Sequence, residues 1–340
     1  MPPYPPSLID RFMRWVQRLP VPYWATYFLL FVLQSSINHV IAWVDGWLPP
    51  FTFTQIILLF PLWQWGTLAA ITYLNITSEA ALSKFRSLLD CDQDAIEKMQ
   101  YELTTMPRRG VILNGGLWVI VYIFLTWLSY DAFYVGYGLG MSSQVFLFLE
   151  GLICFAIASV IYYHSLRQLW LVNRIVQMVK RFNLFNLQPV YAFSQLTSRT
   201  GIAWMVLLGL TLLTFPLDLA KWLALAVLAL QVLLAISAFV LPLRFVNLHL
   251  IAEKRKLLSK NSQRIEAALA QPHQRLDQNE FGEMELLHNA IDGLTDERDI
   301  LAKIPTWPWK SSTLTGFLSA IVLPVVLLLI QIAIQKWLGS

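Results

Sequence analysis

The sequence contains few charged residues: Asp, Glu, Lys and Arg make up 14% of its 340 positions, and hydrophobic residues make up 56%. A soluble domain carries roughly 25% charged residues, so this composition excludes a large soluble globular protein. Cysteine is also scarce, because only Cys91 and Cys154 are present, and these build no disulfide framework. Cys91 lies in a charged stretch and Cys154 in an apolar one, which predicts two unpaired thiols at different depths. We therefore expect an integral membrane protein.

The short motifs of the common catalytic and cofactor sites are also missing. The sequence has no glycine-rich phosphate-binding loop, no His-Glu-x-x-His zinc motif, no Cys-x-x-Cys pair and no Gly-x-Ser-x-Gly nucleophile. The five histidines stand far apart, without the spacing of metal ligands. We therefore expect neither an enzyme nor a bound cofactor or metal. The basic residues fit membrane topology better than nucleic-acid binding.

Seven apolar runs have the length of membrane spans. About 20 largely apolar residues in a helix cross ~30 Å of hydrocarbon. The seven runs lie at 22–46, 51–75, 110–134, 141–164, 201–219, 222–243 and 313–337. Only the short segment 216–221 joins the fifth run to the sixth. The predicted fold is therefore all-α, a polytopic bundle of seven transmembrane helices.

Lysine and arginine are unevenly distributed between the connections. Of the 25 basic residues, ten lie in 244–310, five in 165–200, five in 76–109 and three in 1–21. The two that remain lie in a connection on the opposite side and near the C-terminus. Connections rich in lysine and arginine stay in the cytoplasm. Seven spans therefore place all four segments on the cytoplasmic side of a cell membrane, with the N-terminus inside and the C-terminus outside.

These spans divide the chain into four parts. The parts are a cytoplasmic leader with an amphipathic helix at 1–21, a six-span bundle at 22–243 with cytoplasmic helical loops at 76–109 and 165–200, a cytoplasmic helical arm at 244–310, and a seventh span with a short external C-terminus at 311–340. In the leader, Ser7 and Asp10 fit a capping box, which predicts that a helix begins there. That helix is typical either of a membrane-surface helix or of the basic flank of a first span.

Apolar residues recur at three- and four-residue steps in the predicted cytoplasmic segments, which indicates amphipathic helices. The stripes include Phe85, Ile96 and Leu103 after the second span, and Leu258 in the arm. Pro272 is expected to end the first helix of the arm. An apolar stripe must be buried, so these helices pack either on one another or on another subunit.

One carboxylate lies inside a predicted span. A charged Glu150 would cost at least ~3 kcal/mol in the bilayer unless it is neutralised, paired or facing water. Glu150 and His39 are each expected ~10–13 Å below the outer surface, at ~1.5 Å per residue. Further polar residues in the outer half of the spans are Gln34, Asn38 and Gln55. These five residues are candidates for a ligand pocket in the outer half of the bundle.

Two other interpretations of these polar residues stay open. Asn and Gln in spans often form interhelical hydrogen bonds, each of which contributes ~0.6–2 kcal/mol to helix association. Glu150 would also suit an enzyme or a proton-coupled transporter, although either usually needs a second ionisable group at a matched depth.

The last apolar run, from Ser311 to Trp337, carries small and apolar residues along one helical face, and Pro324 within it can kink the helix. A smooth face of this kind either lines a pore or packs closely on a neighbouring helix. The pore-lining candidates are Gly316, Ser319, Leu323, Val326, Ile330 and Gln331.

The order of these parts resembles the insect odorant and gustatory receptors, a superfamily of seven-transmembrane ion channels. The features in common are seven spans with the N-terminus inside, long cytoplasmic extensions and a cytoplasmic helix that leads into the last span. In that span, Gln331 matches the glutamine of the family's signature, whereas Pro324-Val325 and Ile332 replace its Thr-Tyr pair and its phenylalanine.

This resemblance implies a ligand-gated cation channel built from four copies of the chain in a lipid bilayer. It implies that the helix Glu283–Lys303 anchors the subunits to one another, that Ser311–Trp337 lines the pore, and that a small-molecule ligand binds in the outer half of each bundle. The alternative is a membrane sensor or scaffold. Its cytoplasmic helices would relay a state of the bundle to a cytoplasmic partner, without conducting ions.

Overall fold

The structure, a computed structural model, describes residues 3–128, 130, 131, 134, 138–179, 184–214, 221–277 and 284–338. Within these ranges the chain forms α-helices and two short 3-10 turns, Gln55–Leu58 and Arg86–Leu88, and no strand. The helices are α1 Leu8–Gln17, α2 Tyr23–Val44, α3 Leu59–Phe85, α4 Gln93–Thr104, α5 Arg108–Leu128, α6 Met141–Gln177, α7 Gln188–Thr214, α8 Lys221–Asp277, α9 Met284–Lys303 and α10 Ser311–Leu338. The predicted all-α class is confirmed for this part of the chain.

Six helical segments within the described ranges are long and apolar enough to cross a membrane. They are Tyr23–Val44, Gln55–Leu88, Arg108–Leu128, Met141–Gln177, Leu228–Ala270 and Ser311–Ile330. Each presents apolar side chains to the outside of the bundle, as lipid-facing helices do. The protein is therefore a multi-pass membrane protein by its helices. The hairpin predicted at 216–221 between the fifth and sixth runs lies outside the described residues, except for Lys221, the first residue of α8.

Helix α7, which holds the start of the fifth apolar run, is not among the six segments. It packs against α3, α8 and α10, so little of its surface faces outward. Its first half buries small polar side chains, which let neighbouring helices approach closely. These side chains are Ser194, Thr197, Ser198 and Thr200. A helix enclosed by other helices needs no apolar face toward lipid.

The contact of α7 with α10 depends on a glycine. A Cβ atom on Gly201 would lie 2.6 Å from the ring of Phe317 and 3.2 Å from the carbonyl oxygen of Ala235 on α8. Both distances are shorter than ordinary van der Waals contact, so a side chain at this position would push the helices apart. The Phe317 ring is buried against α7 and α8.

The capping box predicted at the start of α1 is present, and it also ties α1 to the rest of the chain. Asp10 Oδ2 accepts hydrogen bonds from Ser7 N (3.0 Å), Ser7 Oγ (2.6 Å) and the main-chain N of Met106 (3.0 Å). Burial raises the pKa of the Asp10 carboxyl, and its hydrogen bonds oppose that shift. One face of α1 buries Met13 and Val16 in the core. The leader is therefore an integral part of the fold.

A second set of contacts joins the leader to α4 and α6. The guanidinium of Arg167 donates to the carbonyl oxygens of Glu102 and Thr105 and to the hydroxyl of Tyr4. Tyr101 in turn donates to the carbonyl oxygen of Tyr4 at 2.7 Å. Burial raises the pKa of the Tyr4 hydroxyl to about 12, so it stays protonated as a donor to Thr105. Basic segments 1–21, 76–109 and 165–200 thus meet at one end of the bundle, here named the basic end.

The stripe that follows α3 packs within the same chain. Phe85, Leu103 and the neighbouring Leu82 are buried in a cluster with side chains of α6 and α7. Leu89 and Met99 lie partly buried against the same cluster. This stripe therefore needs no second subunit for its burial.

Helix α8 is one continuous helix of 57 residues, roughly 85 Å long at 1.5 Å per residue. The expectation that Pro272 ends it is wrong, because α8 continues to Asp277. A proline removes one hydrogen bond to the preceding turn, and here only five further residues follow it in the helix.

Helix α9 runs back along α8 in the opposite direction. Asn261 Nδ2 donates to the carbonyl oxygen of Leu294 (3.0 Å), and Lys254 Nζ donates to those of Ala302 and Ile304 (2.7 Å each). The lysine thus satisfies carbonyl groups at the C-terminal end of α9, where positive charge is favourable. The predicted arm is therefore a helical hairpin.

Four aromatic rings in successive contact connect this hairpin to α10. The ring centroids of Trp307 and Trp309 are 4.4 Å apart, those of Trp309 and Phe239 5.3 Å, and those of Phe239 and Phe317 4.4 Å. These four residues are named the aromatic joint. Phe239 belongs to α8 and Phe317 to α10, so the joint links the arm, the bundle and the last helix.

We predict that Asp10→Ala lowers the free energy of unfolding by about 1–3 kcal/mol, because it removes a helix cap and leaves the buried main-chain N–H of Met106 without an acceptor. Asp10→Asn should lose less, since its amide oxygen can accept the same bonds without a charge to bury. Denaturant titration of the purified protein in detergent measures both. The control is Arg11→Ala on the exposed face of α1, and an equal loss in all three variants would contradict the prediction.

Candidate functional site

Glu150 lies at the centre of a buried polar cluster between three helices. Its Oε1 accepts hydrogen bonds from Gln34 Nε2 (2.6 Å) and Asn38 Nδ2 (2.8 Å), and its Oε2 lies 3.0 Å from the same Asn38 nitrogen. Gln64 Nε2 donates to the main-chain oxygen of Glu150 at 3.3 Å, and Trp65 Nε1 donates to Gln34 Oε1 at 2.6 Å. These five residues form the Glu150 cluster.

The helices bring these residues together by their periodicity. Gln34 and Asn38 are four residues apart on α2 and therefore share a face, which points toward α6. Gln64 and Trp65 come from α3, and Glu150 from the first half of α6. Glu150 is 5% exposed and Asn38 3% exposed, so the carboxylate is held by protein donors rather than by bulk water.

His39 and Gln55, the other two pocket candidates, lie outside the Glu150 cluster. His39 Nδ1 donates to the carbonyl oxygen of Ser35 (2.8 Å) and its Nε2 accepts from the main-chain N of Thr54 (3.4 Å), which fits a neutral imidazole. Its ring stacks on Phe53 at a centroid distance of 4.9 Å. His39 thus fixes the connection between α2 and α3. Gln55 is exposed at the edge of a groove beside this connection.

That groove, named the aromatic groove, runs between α2 and α3 and reaches α7 at Leu210. It encloses about 550 Å³ and is lined mainly by aromatic and aliphatic side chains. Trp65 lines the groove and also belongs to the Glu150 cluster, so one side chain joins the two. The other large residues that line the aromatic groove are Trp24, Tyr27, Phe28, Phe31, Phe53 and Leu62.

This arrangement has groups that can recognise a small ligand. A carboxylate held by amide donors can pair with a cationic or hydrogen-bond-donating group, and the groove can take an apolar body of a few hundred Å³. No second acid or base side chain hydrogen-bonds to Glu150 among the described residues. The same part of the chain contains no group of three or more His, Cys, Asp or Glu side chains that could hold a metal ion.

The pore-lining candidates lie on the face of α10 that points away from the other helices. Gly316, Ser319, Leu323, Val326 and Ile330 are all exposed. The opposite face buries Phe317, Pro324 and Leu328 against α7 and α8. The side chain of Gln331 lies outside the described part of the structure.

Sequence reasoning missed Gln64 and Trp65. Gln64 carried a usable signal, because a glutamine in the middle of an apolar run usually has a partner on another helix. Trp65 carried none, since its role depends on Gln34 lying across the helix interface.

A second buried network also went unrecognised. Asn75 Oδ1 lies 2.6 Å from His164 Nε2 and 2.9 Å from Gln168 Nε2, and Asn75 Nδ2 donates to the carbonyl oxygen of Thr104 at 3.1 Å. These contacts join α3 and α6 to the end of α4, near the basic end. The network therefore holds these three helices together near the basic end.

A scan against protein-family models and searches of curated proteins and of solved structures each returned no match.

We predict that Glu150→Leu lowers the free energy of unfolding by about 1–3 kcal/mol, because the amides of Asn38 and Gln34 lose their acceptor inside the bundle. Glu150→Gln should retain most of the stability, since one amide oxygen remains to accept. Unfolding in detergent measures both variants, with Ser36→Ala as the control: its hydroxyl is exposed and bonds only within its own helix. A stable Glu150→Leu protein would contradict the structural role of the cluster.

Proposed function

We propose that this protein is a subunit of an oligomeric, ligand-gated cation channel with seven spans, in which α10 faces the pore. The observation that carries the proposal is the unpaired face of α10. Gly316, Ser319, Leu323, Val326 and Ile330 point away from the chain's own helices, and no charge interrupts them. A smooth face of small and aliphatic residues suits a hydrophobic constriction that gates by dewetting.

The position of α7 supports a seventh span. Three of its neighbours, α3, α8 and α10, contain candidate membrane segments, and a helix packed among them would share their depth. The charge distribution supports an N-terminus in the cytoplasm and a C-terminus outside. The basic end would then be cytoplasmic, and the Glu150 cluster would lie toward the outer leaflet.

The Glu150 cluster and the aromatic groove suit a small ligand with an apolar body and a cationic or donor group. Trp65 lies in both, so a ligand in the groove would touch a residue bonded to Gln34 and through it to Glu150. The aromatic joint supplies a route from the arm to α10, because its rings pack on both.

The alternative is a membrane sensor or scaffold that relays a state of the bundle to a cytoplasmic partner without conducting ions. The hairpin of α8 and α9 favours it, because most described side chains of α9 are exposed and available to a partner. Conductance decides between the two. Purified protein in planar bilayers should pass cations if it is a channel, and silence under every voltage and candidate ligand would favour the sensor.

If the protein conducts, we predict that Ser319→Cys, made in a Cys91→Ser background, loses most of its current to a water-soluble thiol reagent, because the thiol would face the pore. Val325→Cys is the matched control, since Val325 is exposed on a different face of α10. Equal inhibition of both variants, or of neither, would argue against a pore along the Ser319 face.

A pair of single cysteines tests the seventh span. With α6, α7 and α8 all crossing the membrane, Met141→Cys and Lys260→Cys lie on opposite sides, and only the first should react with a membrane-impermeant reagent in intact cells. Both positions are exposed in the structure. If α7 did not cross, both would lie on the same side and would react, or fail to react, together.

A further inference from the structure

A second groove opens on another side of the bundle, between α6 and α8, with Trp204 of α7 at its floor. It encloses about 560 Å³ and is mainly apolar. Several of the side chains that line it are largely exposed: Trp170 is 61% exposed and Leu241 is 59% exposed. An exposed apolar groove on a membrane-embedded helix pair is in contact with lipid. We name it the α6–α8 groove.

Positive charge lies at the basic end of this groove. Arg244 lines it and is the first charged residue of α8 after Lys221. On the other wall, the Arg174 guanidinium carbon lies 5.9 Å from the centroid of the Trp170 ring. Both arginines are exposed, and neither forms an ion pair with a carboxylate of the described residues. The lining of the aromatic groove, by contrast, includes no charged side chain.

The position of Arg244 along α8 matches the edge of a bilayer. From Lys221 to Arg244 the helix rises roughly 35 Å at 1.5 Å per residue, close to the ~30 Å thickness of the hydrocarbon region. The groove extends from Leu234 to Leu248 along α8, roughly 21 Å, so it begins at hydrocarbon depth and ends at headgroup depth.

We propose that the α6–α8 groove binds one anionic phospholipid of the leaflet at the basic end. Its acyl chain lies along Leu234 and Leu241, and its phosphate pairs with Arg244, with Arg174, whose guanidinium lies over the Trp170 ring, as the second cation. The apolar side chains of the groove contact the acyl chain and separate it from bulk lipid. The guanidinium of Arg244 donates two parallel hydrogen bonds to phosphate oxygens. The proposal requires only that α6 and α8 lie in a membrane, and it does not depend on conduction.

Two variants remove the two halves of the site separately. Arg244→Gln removes the charge, and its control is Arg255→Gln, which is exposed on α8 beyond the groove. Ser237→Trp fills the groove from an exposed lining position, and its control is Ile236→Trp, which is exposed but does not line the groove. The full-length proteins are compared in nanodiscs of phosphatidylcholine with and without phosphatidylglycerol, and native mass spectrometry counts the retained lipid. Matching melting curves in phosphatidylcholine establish that each variant is folded.

We expect the wild-type protein and both controls to retain phosphatidylglycerol in preference to phosphatidylcholine. Arg244→Gln should lower that retention roughly fivefold, the contribution of one arginine near a lipid headgroup. Ser237→Trp should abolish it. Equal retention by the groove variants and their controls would overturn the proposal, as would retention that ignores headgroup charge. A self-associated form that Ser237→Trp dissociates and Ile236→Trp keeps would also overturn it, because the groove would then bind a second copy.

Discussion

The bundle depends on one constraint of the membrane: helices that gain little from hydrophobic burial against lipid must be joined by close packing and by buried polar contacts. Helix α7 meets the first requirement, because its small side chains let α3, α8 and α10 approach it closely. The Glu150 cluster and the network around Asn75 meet the second, since each joins α3 to α6 through side-chain amides. The cluster lies in the first half of α6 and the network lies near the basic end.

Most of the architecture could be predicted from the sequence, because the strongest signals are physical requirements of single segments. Apolar runs long enough to cross a bilayer, a capping box at Ser7 and Asp10, and periodic stripes after α3 each report a helix independently of its neighbours. The enclosure of α7 could not be predicted in this way. Its apolar run predicts a span, but only the structure shows that α3, α8 and α10 pack around it.

The candidate site could be predicted only in part. Gln34, Asn38 and Glu150 were grouped by depth, and the structure brings these three together. His39 lies on α2 next to Asn38, yet adjacent residues on a helix point in different directions, and its ring faces the connection to α3 instead. Trp65 could not have been selected at all, because an indole reveals its hydrogen-bond partner only when the opposite helix is in place.

The absence of a side chain at Gly201 has a mechanical consequence. The Phe317 ring occupies the space that a Cβ atom would fill, so α10 is seated in a notch of α7 rather than resting on a smooth surface. Translation of α10 along α7 requires the ring to leave that notch and find another. Such a contact has discrete resting positions separated by a barrier, and it resists small displacements. We therefore expect α10 to slide along α7 in steps.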